Sequence, residues 1–538
     1  MNHSEVQPAL RIWMFPFLLV ASISGAVFLL TYVADALGSD DPRHVLSLIV
    51  HPNPEAAAST LANAGEIMAA VLAIALTVVA LLVELASNRY THRVTELFVG
   101  EPINFAVLGL FVVAALQGVW VSVTFDGNGG FVPYYGIVTT MGLLTLCLLL
   151  LLPYFYYVFN YLNPLQIVQR IRAHAHAVIT DGASDVTGAQ LEVVRGVEQL
   201  ADVALGAMEH RDKAVSVASL DALRRLVSDY QELRPGLPAR WYVVGERLAA
   251  NPDFLSMDPH SLERLQTRQV WLEMKVLRQY QMIYGEALNR MRDLNYVVAI
   301  NTRLLAEEAV RRQNLHLLHL LMKFFNTYVR AAINARDVRT AYNVFNQYRR
   351  LAEALIEARR EQSLVEVVRY FKYYGLASYN ARLPFILETV AYDICEILER
   401  SSELQLTVVD QLLKIFLQMD KDSRGDVQEA SLRGVRKAQI KLATYFLAHG
   451  DVGRARAIYR DMRDEDSSRL ASIRAELLAV RSPEYWEITD RGGNFDYIPP
   501  ARKGTLSEFF AWFPDLPQGR VDASIQPVAP GADLDDEL

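Results

Sequence analysis

The residues with chemistry to offer are few and scattered. His316 and His319 are three apart and would share a helix face, with Glu308 two turns earlier. A zinc site needs a third firm ligand and groups that orient the first ones, and nothing at suitable spacing supplies them. His174 and His176 are two apart, so a helix points them in different directions. Of the two cysteines, Cys147 lies in an apolar run and Cys395 in a distant helical pattern, which argues against a disulfide framework or a cysteine metal site. No phosphate-binding glycine loop, nucleophile elbow or paired-carboxylate signature occurs. The glycines of DGNGG at 126–130 read as a tight turn. A net charge of −8 leaves no basic stripe for nucleic acid. The expectation is a chain without catalytic residues, cofactor or metal; an enzyme is the class these residues support least.

What the chain does have is two regions suited to different solvents. Residues 1–163 hold four arginines, ten acids and no lysine; the first lysine is Lys213. From 164 onward 49 basic and 51 acidic residues give an ordinary soluble balance. Four apolar stretches, near 12–34, 64–86, 103–125 and 135–160, are long enough to cross about 30 Å of hydrocarbon as helices. The first is too long for a cleaved signal peptide and reads as a retained anchor. The loops orient the bundle. Segment 35–60 carries Asp35, Asp40, Asp41 and Glu55 against Arg43, whereas Arg89 and Arg93 follow span two and Arg170 and Arg172 follow span four. Basic loops stay inside, so both termini are predicted to be cytoplasmic, with Tyr154, Tyr156, Tyr157 and Tyr161 at the inner interface.

Span two is the least lipid-like. Ala64, Gly65, Ala69, Ala70, Ala73, Ala75 and Ala80 permit close helix approach, and Glu66 and Glu84 mark its ends. Two readings follow: an internal helix packed by its neighbours, or a pore-lining helix with glutamates at the mouths. Thr77 is the polar residue near its middle, and Gln117 in span three could hydrogen-bond across the bundle. No Asp, Glu, Lys, Arg or His falls at mid-membrane, which argues against a proton relay.

The run 76–109, LTVVALLVELASNRYTHRVTELFVGEPINFAVLG, resembles a bacterial family of predicted membrane proteins, domain of unknown function 2254. Leu85, Ala86, Ser87, Arg93, Phe98, Leu108 and Gly109 match its pattern, and His92 stands where the family usually has proline. A second patch at 197–227 matches at Leu200, Asp202, Ala204, Ala214, Val215, Leu220, Asp221 and Leu223, but AMEHRDK replaces the family's Ser-Pro-Ala-Ile-Asn-Asp-Pro turn. The resemblance covers roughly residues 10–230. It implies a multi-pass protein of the bacterial inner (cytoplasmic) membrane and does not imply a reaction.

Beyond 163 the apolar period is three and four nearly to residue 482, with Pro and Gly confined to joints such as RPGLP at 234–238. The fold class expected is all-α: a transmembrane domain over 1–163, a helical domain over 164–310, a tetratricopeptide-like α-solenoid over 311–486 and an irregular acidic tail over 487–538. The solenoid rests on two similar helical pairs, at 327–348 and 443–462, whose Asp337 and Asp451 are spaced as three units of 38 residues would be. Tyr370, Tyr373, Tyr374 and Tyr379 serve equally well as core filling and as hot spots for a partner. Phe509, Phe510, Trp512 and Phe513 in the tail read as an aromatic clip onto the chain's own body. Two functions remain in view: a scaffold or sensor that holds a cytoplasmic protein at the membrane, and a homo-oligomeric ion channel lined by span two.

Overall fold

The computed structural model describes residues 54–89, 98, 101–123, 134–181, 185–419, 429–485, 491–514 and 516–517. All regular structure among them is helical. The chain divides into two compact units, Met1–Ile171 and Arg172–Leu538.

The first unit contains α1 (Pro54–Arg89), α2 (Pro102–Val123) and α3 (Tyr134–Tyr161), and the boundary between units falls inside α4 (Pro164–Asp181). Three of these helices open on proline, whose fixed φ and missing N–H suit the first helical position. Gly65–Ser87, Pro102–Ser122 and Thr139–Tyr161 are long and apolar enough to cross a membrane, in agreement with spans two to four of the sequence. The first expected span, 12–34, lies outside the described residues. Met68, Phe111, Ala114 and Cys147 pack together midway along the bundle. Val79, Val83, Phe98, Tyr154, Val158 and Tyr161 pack together nearer the end where α1 and α3 finish. Large side chains left open, such as Ile74, Leu81, Val113, Trp120, Leu152 and Phe159, suit contact with lipid.

The second unit is a stack of antiparallel helix pairs: α5 (Val186–Glu209) and α6 (Lys213–Leu233), then, past a segment of short helical turns and α7 (Pro259–Arg268), α8 (Trp271–Arg290) and α9 (Asp293–Arg311), α10 (Leu315–Asn334) and α11 (Val338–Glu357), α12 (Glu361–Asn380) and α13 (Pro384–Glu403), and α14 (Val409–Phe416) and α15 (Glu429–Ala448). One layer runs α5, α8, α10, α12, α14, each packed on the next, and the other runs α6, α9, α11, α13, α15. Then follow α16 (Val452–Met462), α17 (Ser467–Ala479) and α18 (Pro500–Phe510). The stack passes through residues 310 and 311 without a break. The tail read as irregular contains α18, which packs on α15.

The corners explain the regularity. Gln313, Arg336, Arg359, Arg382 and Gln405 all have left-handed φ, between 52° and 63°, at intervals of 23 residues. At each, the next amide reaches back five residues to a carbonyl of the finished helix, as from Asp337 to Ala332 at 3.0 Å and Leu383 to Ser378 at 2.9 Å. In four of the five that same residue starts the following helix: the Asn314 and Asp337 side chains accept from the amides of Leu317 and Thr340 at 3.1 and 3.0 Å. A 20-residue helix plus a three-residue corner makes the step. Asp337 and Asp451 are therefore separated by five helix steps and not by three 38-residue units; Gly450, at φ 76°, occupies the corner before Asp451.

Aromatic rings fill the space between layers. Tyr284 stacks on Tyr328 at 4.7 Å and Phe325 on Tyr348 at 4.7 Å, and Phe371 meets Tyr348 edge-on at 5.3 Å. Such pairs add about 0.5–1.5 kcal/mol each beyond the area they bury.

The exposed corner residue Gln313 tests the backbone account. Gln313→Gly is expected to stabilise by up to about 1 kcal/mol, the relief of left-handed strain less the entropy glycine adds to the unfolded chain. Gln313→Val is expected to destabilise by about 1–3 kcal/mol. Thermal unfolding followed by circular dichroism reads both; a neutral valine would contradict the strain.

Candidate functional site

The second layer of the stack carries an irregular, turn-containing piece of the chain's own carboxyl-terminal region, residues 491–498, across α11, α13 and α15, with the Tyr497 amide closing a turn onto the Asn494 carbonyl at 3.1 Å. Arg491 makes the first anchor. Its Nε and Nη2 donate to Asp393 Oδ1 and Oδ2 at 2.8 and 2.7 Å, and its guanidinium lies 4.0 Å from the Tyr342 ring centroid. Both charged side chains are almost wholly buried, at 3% and 1% exposure. The two-pronged geometry and the aromatic face are what arginine offers and lysine does not. Phe495 makes the second anchor, stacked on Tyr392 at 4.9 Å and 9°. Asp496 makes the third: it accepts from the Tyr392 hydroxyl, and Lys437 Nζ lies 2.8 Å from Oδ2. Lys441 Nζ donates to the Phe495 carbonyl at 2.9 Å, and Ile498 is fully buried.

Beneath Asp496 the charges form a chain. Lys437 also meets Glu476 at 2.8 Å, and Glu476 accepts from Arg433. Burial works against the charge of Lys437, but Asp496 and Glu476 outweigh it and hold the ammonium pKa above its ordinary value. Burial likewise opposes ionisation of Glu476, and Arg433 and Lys437 reverse the balance, keeping its pKa low. Glu388 is the odd member. Burial, then the charges of Asp496 and Glu476 against that of Lys437, pushes its carboxyl up to about 7. It fits only because α15 has Gly434 beside it: a Cβ there would lie 2.5 Å from Glu388 Cγ.

A second polar knot ties the start of the stack. Lys275, 1% exposed, meets Glu198 at 2.6 Å, Asn251 at 2.9 Å and the Asp253 carboxylate. Nearby Glu273 accepts from Gln231 at 2.6 Å, and burial raises its pKa to about 7. The matched positions Leu200, Ala204, Val215, Leu220 and Leu223 are buried in the α5–α6 pair, while Asp202 is exposed. The AMEHRDK run forms the corner of that pair, with Arg211 left-handed and Asp212 capping α6.

The residues singled out in the membrane half separate into two groups. Glu66, Thr77 and Glu84 lie exposed on α1 with Ala69, Ala70, Ala73 and Ala80, on the side turned away from α2 and α3. Thr77 donates to its own helix, to the Ala73 carbonyl at 2.7 Å. Gln117 is half-buried on α2. Tyr154 is buried and donates to Asn104 at 3.3 Å; Tyr156 and Tyr157 are half-buried. Arg170 caps the aromatic cluster, 3.7 Å from the Tyr161 ring centroid. Arg172 belongs to the second unit and pairs with Asp229 on α6 at 2.7 Å. Arg93 and the side chain of Arg89 lie outside the described residues.

Of the four tyrosines, Tyr374 is buried, Tyr370 and Tyr379 are half-buried, and Tyr373 is open at 57% exposure. Phe509, Trp512 and Phe513 cluster with Tyr459 of α16, with Phe513 at 4.8 Å, so the aromatic tail does clip onto the body. Glu308 is engaged by Arg312 and Ser228 at 2.8 and 2.7 Å, and His319 lies 3.5 Å from Glu366. No group of three metal-ligating side chains gathers among the described residues. A groove of about 650 Å³ between α14 and α16 is lined by Asp410, Lys414, Asp451, Arg454 and Asp461. Its Arg454 already bridges Asp410 and Asp451 at 2.7 Å each.

Sequence reasoning passed over Arg491, Asp393, Asp496 and Lys437. One signal was available: Asp393 interrupts the apolar run AYDIC at a position that a helical period assigns to the interior.

Three apolar helices able to span a bilayer, together with a large stack of paired helices, define a membrane protein with a helical-repeat domain. Residues 10–226 match the family model described as Predicted membrane protein (DUF2254), so this part of the chain is similar to that family. Comparison with curated proteins finds no match. A solved structure described as a circular tandem repeat protein with novel repeat topology and enhanced subunit contact surfaces is 15% identical, covering 76% of this chain and 97% of its own, with a TM-score of 0.27. A likeness that slight carries no argument.

Glu388 gives the site a measurable pH signature. Between its ordinary 4.5 and about 7 the unfolded chain ionises while the folded one keeps its proton, so its contribution to stability is full below 4.5 and is lost as pH rises through 7. Glu388→Gln is expected to remove that loss. The variant's unfolding midpoint should exceed that of the parent at pH 8, and the gap should shrink towards pH 5. An unchanged gap across that range would mean that Glu388 is ionised in the folded protein.

Proposed function

We propose that this chain is a membrane-anchored protein-binding scaffold or sensor, held in the inner membrane of a bacterium with both termini in the cytoplasm, and that its helical stack engages a protein partner. The observation that supports this reading is the strip 491–498: the second layer accommodates a non-helical peptide segment through side-chain anchors. Stacked helix pairs commonly serve as extended binding surfaces. The acidic sequence segment 35–60 and the arginines at or beyond the ends of α1 and α3 support the orientation. The open ring of Tyr373 is a suitable contact on the opposite layer. Photocrosslinking in native membranes from a benzophenone residue at position 373, and at exposed positions 339 and 385, is the test. A discrete adduct of constant mass is expected; unreacted protein at every position would remove the scaffold.

A second reading is favoured by one specific arrangement. Glu66, Ala69, Ala73, Thr77, Ala80 and Glu84 share the side of α1 that faces away from its two neighbours. Lipid favours large apolar side chains, whereas small and polar ones favour another helix or water. An oligomer with α1 at its axis would conduct cations past rings of glutamate. Native mass spectrometry should then show a closed ring of four or more copies, with a bilayer conductance reduced by Glu66→Gln and Glu84→Gln. A monomer, or a conductance indifferent to both substitutions, would remove the channel.

A further inference from the structure

The strip 491–496 is held as a bound peptide is held. It contributes no helix, and within it the anchors are separated by Gly492 and Gly493. Gly492 is left-handed at φ 73°, and a Cβ on Gly493 would come within 3.4 Å of the Pro483 carbonyl. The two glycines therefore let Arg491 and Phe495 settle into their places independently. The receiving residues come from three helices far apart in sequence: Tyr342 on α11, Tyr392 and Asp393 on α13, and Lys437 and Lys441 on α15.

The receiving surface is specific on its own account. Asp393 is 1% exposed, and besides Arg491 its charged neighbour is Arg349, whose Nε lies 3.7 Å away. Arg349 also serves Glu396 at 3.0 Å and Glu353. A carboxylate so deeply placed requires a guanidinium directly opposite, because unpaired charge in a low-dielectric interior is strongly unfavourable. Four residues on, the flat face of Tyr392 takes an aromatic ring, and its hydroxyl together with Lys437 takes a carboxylate. The surface thus reads an arginine, a spacer of three small or polar residues, and then Phe-Asp.

We propose that this trench is a peptide-recognition site occupied in cis by residues 491–496, and that it accepts in trans a non-helical, turn-forming segment of a partner protein with the pattern Arg-x-x-x-Phe-Asp. The proposal rests on the scaffold reading and supplies its partner chemistry: the cis strip is a self-ligand that a partner displaces.

Two measurements on the full-length solubilised chain test it. Hydrogen exchange compares the strip amides that are bonded, Asn494 to the Pro483 carbonyl and Tyr497 to the Asn494 carbonyl, with those of the α13 interior. Exchange at least 100-fold faster in the strip, with α13 and α15 still protected, is the expected result; exchange in step with α13 would make the strip an inseparable part of the core and overturn the proposal. Binding uses a fluorescein-labelled peptide of sequence TDRGGNFDYIPP, residues 489–500, read by anisotropy. It should bind the Arg491→Ala/Phe495→Ala chain at least tenfold more tightly than the parent chain, and peptide carrying alanine for arginine should lose at least tenfold. No binding to a variant that keeps its circular dichroism overturns the proposal, as does a variant that unfolds. Failure here with crosslinking at 373 intact removes the trench alone; loss of both removes the scaffold as well.

Discussion

Every α-helix ends with carbonyls that its own turns cannot satisfy and begins with amides in the same state, and a stack of short corners must answer both at once. Here three residues do so. A left-handed residue turns the chain, the following amide closes back onto the finished helix, and that residue's side chain or carbonyl opens the next one. From α10 to α13 the constant corner goes with a constant helix, 20 residues or about 30 Å, and these equal helices pack in two layers. Arginine and glutamine hold the left-handed positions in place of glycine, at roughly 1–2 kcal/mol of strain apiece, which the packing on either side must offset.

Charge is handled differently at the two ends of the stack. At the start, Lys275 is surrounded by groups from the same neighbourhood of the chain and from α5. At the far end, Asp393 and Lys437, beside Arg349 and Glu476, also take Arg491 and Asp496, which arrive from beyond α17. Breaking a buried pair by removing one partner is far more damaging than never having had the pair. The final helices of the stack are consequently bound to the strip 491–498 in a way that the earlier ones are not.

Much of this architecture was legible beforehand. Long apolar runs marked spans two to four, because bilayer thickness imposes a length that little else in a sequence mimics. The three-and-four period marked the helices, and Asp337 and Asp451 were real caps. The step length was not legible: two distant echoes cannot distinguish three units from five, and the left-handed residues that set the rhythm are arginine and glutamine, which carry no turn signal. The trench escaped for a related reason. Its partners lie 54 to 149 residues apart in the chain, and the strip itself has the Gly, Asn and Pro content of a loop. Local composition reports what a segment can become by itself and is silent on where it docks.

The corner-built stack and the strip also differ in when they can form. Each helix pair closes through contacts between chain neighbours, so it can assemble as soon as its residues emerge from the ribosome. Arg491 follows the Tyr342 it contacts by 149 residues. The last receiving residue, Lys441, precedes Arg491 by 50 residues, so at roughly 5–20 residues per second the completed trench stands open for about 3–10 s of synthesis before its own occupant exists. During that interval Asp393 has Arg349 as its charged neighbour and lacks the two-pronged partner that Arg491 later brings, and the nascent chain offers its recognition surface to whatever arginine-bearing segment is nearest.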